Sequence, residues 1–165
     1  MAGRVAEGTR GLRGPREQAS IAQKPFSGAK IVLCCNNQLV AYLRDQKPDI
    51  PFPGLWDLPG GGREADETPA ECAMREVEEE FGLRLSVERI VWSRRYESQK
   101  AGAPDSYFLV APLLNSEVDE IVFGDEGQRW RLMRLAEFLA KDDAVPDLQA
   151  RLQDYLEDAA SKPIV

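Results

Sequence analysis

The sequence predicts a single α/β domain in which a mixed sheet packs between helices, and three observations carry that reading. Short apolar, β-branched runs lie on both sides of one strongly marked helix near the middle of the chain. Helical periodicity returns only towards the end, and no segment repeats. The length of 165 residues, 43% hydrophobic and 30% charged, suits one domain with a proper core.

Residues 1–25 have no sustained apolar period and carry five basic residues against two acidic ones, which predicts a disordered basic arm ahead of a domain over 26–165. From Ala29, AKIVLCC and LVAYLR flank the turn-forming Asn36-Asn37-Gln38 and predict a strand hairpin. The three prolines between Asp45 and Gly54 exclude regular sheet, and Trp56–Leu58 is at most a brief strand before a glycine turn at Gly60–Gly62. Alternation predicts two long strands, Leu85–Glu97 and Asp105–Leu114. Further short strands are expected at Ile121–Phe123 and Arg129–Met133. Helices are expected over Leu135–Lys141 and Asp147–Asp158, the second with Leu148, Leu152, Tyr155 and Leu156 on one stripe.

A net charge of −7 argues against general affinity for nucleic acid duplexes or anionic membrane, so no stable nucleic acid complex and no membrane partner are expected. Cys34, Cys35 and Cys72 form neither a disulfide framework nor a zinc pattern, which points to reduced thiols in a cytoplasmic protein. Histidine is absent, so acid-base or metal chemistry falls to carboxylates, Lys, Tyr or Cys.

The densest pattern is the middle helix. Thr68-Pro69-Ala70-Glu71 combines an N-cap, a first-turn proline and a capping box, and Gly82 supplies the stop. Ala70, Ala73, Met74, Val77 and Phe81 make a buried stripe. Glu76, Glu79 and Glu80 fall within an arc of about 100°, read as well away from that stripe. Like charges at this spacing destabilise a helix unless a cation meets them, and an all-oxygen set suits Mg²⁺, or Mn²⁺, acting on phosphates. A solvated acidic face is the alternative for the glutamates alone. Gly60–Gly62 let a ligand approach the backbone closely.

This segment resembles the Nudix box: Gly, five residues, Glu, seven residues, Arg-Glu, an aliphatic residue, any residue, Glu-Glu, any residue, Gly, an aliphatic residue. Gly61, Glu67, Arg75, Glu76, Val77, Glu79, Glu80, Gly82 and Leu83 fill every specified position. With the preceding LWDLPGG, the resemblance covers roughly residues 28–158. It implies a Nudix-type α/β/α sandwich with a mixed β-sheet around a central box helix.

It further implies metal ligation by Glu76, Glu79 and Glu80, with the Gly60 carbonyl as an additional ligand. Arg75 would buttress the glutamates, and Glu67 would join the same network. The loop Gly124-Asp125-Glu126-Gly127-Gln128 resembles the MutT-type loop that brings a further glutamate to the metals, here Glu126, whose alternative is an exposed loop charge. The family cleaves a nucleoside diphosphate linked to another group X by water attack on a bridging phosphate, with Mg²⁺ as cofactor. The general base is then a carboxylate, with Glu79 and Glu76 ranked ahead of Glu126.

On the substrate side the resemblance points to Gly61, Glu67, Arg44 and Asp147. Arg44 matches a basic position in MutT-like proteins or is a plain surface arginine; Asp147 meets a purine edge or caps the last helix. Signatures for coenzyme A, NADH, ADP-ribose and dinucleoside polyphosphate hydrolases are absent, which leaves the MutT-like nucleoside triphosphate group. Where that group places an asparagine to read an oxidised guanine, this chain has Val145-Pro146-Asp147-Leu148, so whether 8-oxo-dGTP is a substrate stays open. Other substrates of the family, such as ADP-ribose, nucleotide sugars and dinucleoside polyphosphates, stay open, as does a non-catalytic nucleotide-sensing module. The expected partner is a small-molecule nucleotide, bound by a monomer or homodimer. Phe26, Trp56, Trp92, Tyr96 and Trp130 are candidates for base stacking or for the core.

Overall fold

Asn36 and Asn37 both adopt positive φ, 51° and 62°, the backbone a two-residue hairpin turn needs, and they fold β1 (Phe26–Cys35) back onto β2 (Gln38–Leu43). This computed structural model describes residues 25–161, and the expectation for the N-terminal arm lies outside the described residues apart from Pro25. The hairpin is present as expected, with β1 starting three residues earlier than Ala29.

β1 is the organising strand. It pairs antiparallel with β2 and with β4 (Gly60–Gly62), and parallel with β6 (Asp105–Pro112). The main order is β3-β2-β1-β6-β5, with β3 at Trp56–Asp57 and β5 at Trp92–Tyr96, while β7 (Arg129–Arg134) pairs with β2. One parallel pairing among antiparallel ones makes the sheet mixed.

Alternation along β1 sends Ile31 and Leu33 to one face and Val32 to the other. On the first face they meet Val77 and Phe81 of α1 (Pro69–Phe81). On the second face the core holds Phe138 from α3 (Leu135–Ala140) and Leu148 and Leu152 from α4 (Pro146–Ser161). The architecture is the expected α/β/α sandwich. A short helix, α2 (Asn115–Val118), was not anticipated.

α1 forms where its caps dictate. Thr68 Oγ1 accepts the Glu71 N–H at 3.1 Å, Glu71 Oε1 accepts the Thr68 N–H at 3.0 Å, and Gly82 ends the helix at φ 68°. Burying Phe81 fully anchors it; truncation to Ala would cost about 3–5 kcal/mol.

Three sequence expectations need correction. Gly60–Gly62 is a strand paired to β1, not a turn. The long strand over Leu85–Glu97 is only Trp92–Tyr96: Ser86 accepts the Glu88 N–H and starts a single 3-10 turn at Val87–Arg89, and Leu85 and Ile90 pack onto the core without a ladder. Ile121–Phe123 is not a strand, because its neighbourhood serves the end of α1. Val122 donates to Phe81 O at 3.0 Å and Gly124 to Glu80 O at 2.9 Å, satisfying carbonyls that a helix end leaves unpaired.

Candidate active site

β4 brings the glycine segment against α1. A Cβ placed on Gly61 would lie 2.6 Å from Glu76 Cδ, so only glycine lets that carboxyl reach the strand. One residue earlier, the Gly60 N–H donates to Glu80 Oε1 at 2.8 Å. Glu80 is 7% exposed, which corrects the expectation that it stands clear of the stripe. At about 100° per residue it sits only about 20° around the helix from Ala73. Burial pushes its carboxyl up to about 8, against the downward pull of the Gly60 N–H and Lys30.

Arg75 gathers the remaining box carboxylates. Its Nε meets Glu67 Oε2 at 2.7 Å, one Nη meets Glu76 Oε1 at 2.9 Å and Glu79 Oε2 at 3.2 Å, and the other donates to the Gly62 carbonyl at 2.8 Å. The Arg75 guanidinium holds Glu67 below the usual carboxylate range. Glu76 goes the other way, raised by burial against the pull of Arg75.

Glu76, Glu79 and Glu80 line a cavity of about 240 Å³ together with Gly124, Asp125 and Glu126. The loop reaches it because Gly124 packs against the end of α1, where a Cβ would lie 3.1 Å from Glu79 O. The lining holds five carboxylates and no cation. Its all-oxygen chemistry fits a hard divalent ion, and the desolvated Glu80 carboxyl is a group such an ion would hold ionised. Among the described residues no three acidic or cysteine side chains are already gathered into a metal-binding group. Glu76 and Glu79 are turned to Arg75 instead, and a metal would have to draw them from it.

A second charged centre lies beneath. Asp57, 2% exposed, receives Lys30 Nζ at 3.0 Å, Tyr42 OH at 3.0 Å and Arg44 Nη1 at 2.7 Å on Oδ2, and the Leu58 N–H on Oδ1. Lys30 also donates to the carbonyls of Leu58 and Gly60. Arg44, far from a plain surface arginine, is held by Asp57 and by the Pro51 carbonyl, and it lines another cavity of about 240 Å³ with Lys47 and Glu126.

Residues 25–155 match the family model described as the NUDIX domain, which spans most of the chain. The chain belongs to the Nudix family. A relative of this Nudix domain described as an RNA pyrophosphohydrolase, from Blochmanniella pennsylvanica (strain BPEN), is 33% identical over 115 residues, 70% of this chain and 63% of the relative. Diphosphoinositol polyphosphate phosphohydrolase 3-beta of Homo sapiens is 30% identical over 110 residues, 64% of this chain and 62% of that protein. The chain thus spans less than two thirds of the length of these curated relatives. Among solved structures, the MutT protein from Methanosarcina mazei Go1 aligns with a TM-score of 0.61 at 18% identity, covering 85% of this chain and 99% of that one, a likeness of fold.

Within the Nudix domain, Gly60, Gly61, Glu67, Arg75, Glu76, Glu79 and Glu80 form one contiguous group, and Glu126 faces it from the loop. Arg44 joins through the Glu126 side. Asp147 stands apart, exposed in the first turn of α4 rather than at its N-cap, and lines a cavity of about 390 Å³ with Tyr96 and Arg151. Phe26, Trp56 and Trp92 are buried in the core, while Trp130 and Tyr96 are partly exposed. Sequence reasoning missed Lys30 and Asp57, whose only signals were a lysine inside an apolar strand and an aspartate beside a tryptophan. No described helix is long and apolar enough to cross a membrane, and the three cysteines are free.

Proposed function

We propose that this chain is a Mg²⁺-dependent pyrophosphohydrolase of a nucleoside diphosphate linked to X, acting on a nucleoside triphosphate or modified nucleoside triphosphate to release the monophosphate and pyrophosphate. The observation that carries the reading is the cavity where Glu76, Glu79 and Glu80 from α1 meet Glu126 from the loop beside the glycine strand. Mg²⁺ there, or Mn²⁺, neutralises phosphate oxygens and lowers the pKa of the attacking water. Glu76, Glu79 and Glu80 would hold the ion, with Glu126 reaching it from the loop and the Gly60 carbonyl as an additional ligand once released from Lys30. Glu79 is best placed to take the proton of the attacking water, since it is solvent-exposed and held only by Arg75. Arg75 keeps the glutamates aligned before binding, and Arg44 with Lys47 faces the phosphate chain.

The intact carboxylate set supports an enzyme over a nucleotide sensor. The relatives' names, an RNA pyrophosphohydrolase and a diphosphoinositol polyphosphate phosphohydrolase, support a phosphoanhydride as the bond cleaved while widening X. The deciding assay is pyrophosphate or phosphate release with Mg²⁺ from a panel of ribo- and deoxyribonucleoside triphosphates, 5′-triphosphorylated RNA, ADP-ribose, nucleotide sugars and dinucleoside polyphosphates. Triphosphates should be turned over best; no turnover of any member rejects the enzyme reading.

A further inference from the structure

The arginines around the sheet are mostly committed to carboxylates: Arg44 to Asp57, Arg75 to Glu67 and Glu76, Arg89 to Glu117, Arg95 to Asp105. Arg151, in the second turn of α4, is not. Its guanidinium lies over the Tyr96 ring, 4.5 Å from the centroid, and among the described residues it makes no hydrogen bond or ion pair. The side chain is half-buried and its donors still reach solvent, so its guanidinium is held by the Tyr96 ring while its hydrogen-bonding edge stays open to a ligand.

Arg151 borders a cavity of about 310 Å³ formed by β4, β1, β6 and α4. Lys30, Ser27, Ser106 and the backbone of Gly61 and Gly62 share that lining, and no carboxylate does. In a chain of net charge −7, this cavity has no acid in its lining, and with Lys30 paired to Asp57 its uncompensated charge is that of Arg151. Lys30 has its donors on Asp57, Leu58 and Gly60, which leaves Arg151 as the group free to bond. The acids facing Arg151 are Asp147 and Asp154 on its own helix and Glu97 beyond β5, all lining the neighbouring cavity. Asp154 is already taken, by Tyr96 OH at 2.8 Å and Arg94 at 3.6 Å. Gly61 lies between this cavity and the catalytic carboxylates, since it lines the one and abuts Glu76 of the other.

Resting on the proposed reaction, we propose that this cavity is a second anion subsite, in which Arg151 binds a phosphate carried by the substrate outside the chain being cleaved. The enzyme would then prefer a nucleotide phosphorylated on its sugar, as monoester or as the diester of a longer chain, over the bare triphosphate. A planar guanidinium with free donors is suited to bidentate phosphate recognition, and the two glycines leave room for the group beside β4.

The test compares ATP with its 2′- and 3′-phosphorylated derivatives in Mg²⁺, for the wild type, Arg151→Gln and Arg151→Lys, with melting curves to confirm folding. The expected result is a lower KM for at least one phosphorylated derivative, and an Arg151→Gln penalty on its KM about tenfold larger than on that of ATP, partly restored by lysine. Equal penalties on all substrates, or none, overturn the proposal. Should no substrate turn over, the proposed reaction fails, and calorimetry without metal decides the subsite alone. Adenosine 3′,5′-bisphosphate or 2′,5′-bisphosphate binding more tightly than AMP, with the difference lost in Arg151→Gln, upholds it; equal binding overturns it.

Discussion

The Gly60 N–H bonds Glu80 Oε1 at 2.8 Å, and with the Arg75 bond to the Gly62 carbonyl at 2.8 Å it joins the glycine strand to the helix that carries the carboxylates. Positions 60 and 61 do different work in that joint. At Gly60 a Cβ would lie 2.1 Å from the Ala29 carbonyl and φ is 132°, a backbone clash in a strained region. At Gly61 the clash is with the far end of the Glu76 side chain, which can swing away. Gly60→Ala should therefore lower stability by at least about 1–3 kcal/mol. Gly61→Ala should melt near the wild type but lose most activity. Denaturant titration and pyrophosphate release on both variants check this, and a strongly destabilised Gly61→Ala would be against it.

Glu79 is exposed and buries nothing, so Glu79→Gln should fold normally while kcat falls about 10²- to 10⁴-fold, the usual contribution of a general base. A rate within a few-fold of the wild type would remove Glu79 from the reaction.

Glu80 sets a pH dependence whose sign follows from its burial. Its folded pKa is raised from 4.5 to about 8, so in that window the folded metal-free protein holds a proton that the unfolded chain has released. Stability from this group is full below about pH 4.5 and is lost as pH rises through 8. A divalent cation competes with the same proton. The Mg²⁺-induced rise in Tm should therefore grow between about pH 6 and pH 9, with a proton released on binding. In Glu80→Gln that growth should vanish; persistence of the slope would assign the proton elsewhere.

Asp57 is the sole acceptor side chain between Lys30 and Arg44 among the described contacts. Asp57→Asn should cost about 3 kcal/mol, the low end for removing one partner of a buried pair, because the two cations keep 24% and 20% of their side chains exposed. Urea unfolding measures it, and a loss under about 0.5 kcal/mol would mean that the cations are solvated instead.

What the sequence made legible was local. Thr68, Pro69, Glu71 and Gly82 declare α1 within fifteen residues, and the same short stretch holds Arg75 and its glutamates. Contacts joining distant segments left little trace: Lys30 and Asp57 lie 27 residues apart on different strands. The apolar positions from Leu85 to Val91 suited a strand, but only Leu85 and Ile90 pack on the core, five residues apart across a 3-10 turn, while Val87 and Val91 are exposed. The burial of Glu80 was readable from helix geometry, yet its charge suggested solvent.

The way Val122 and Gly124 bond the last carbonyls of α1 has a consequence for how the protein can vary. Glu126 takes its position from two anchors, the end of the box helix and the end of β2, where the Gly127 N–H donates to Asp45 Oδ2 at 3.3 Å and the Gln128 N–H to the Leu43 carbonyl at 2.8 Å. The segment from Asn115 to Glu120 is tied down as well, by Asn115 to Cys35 and Asn36 and by Glu117 to Arg89, so variation that preserves the Glu126 loop has to keep the ends of α1 and β2 in register with each other.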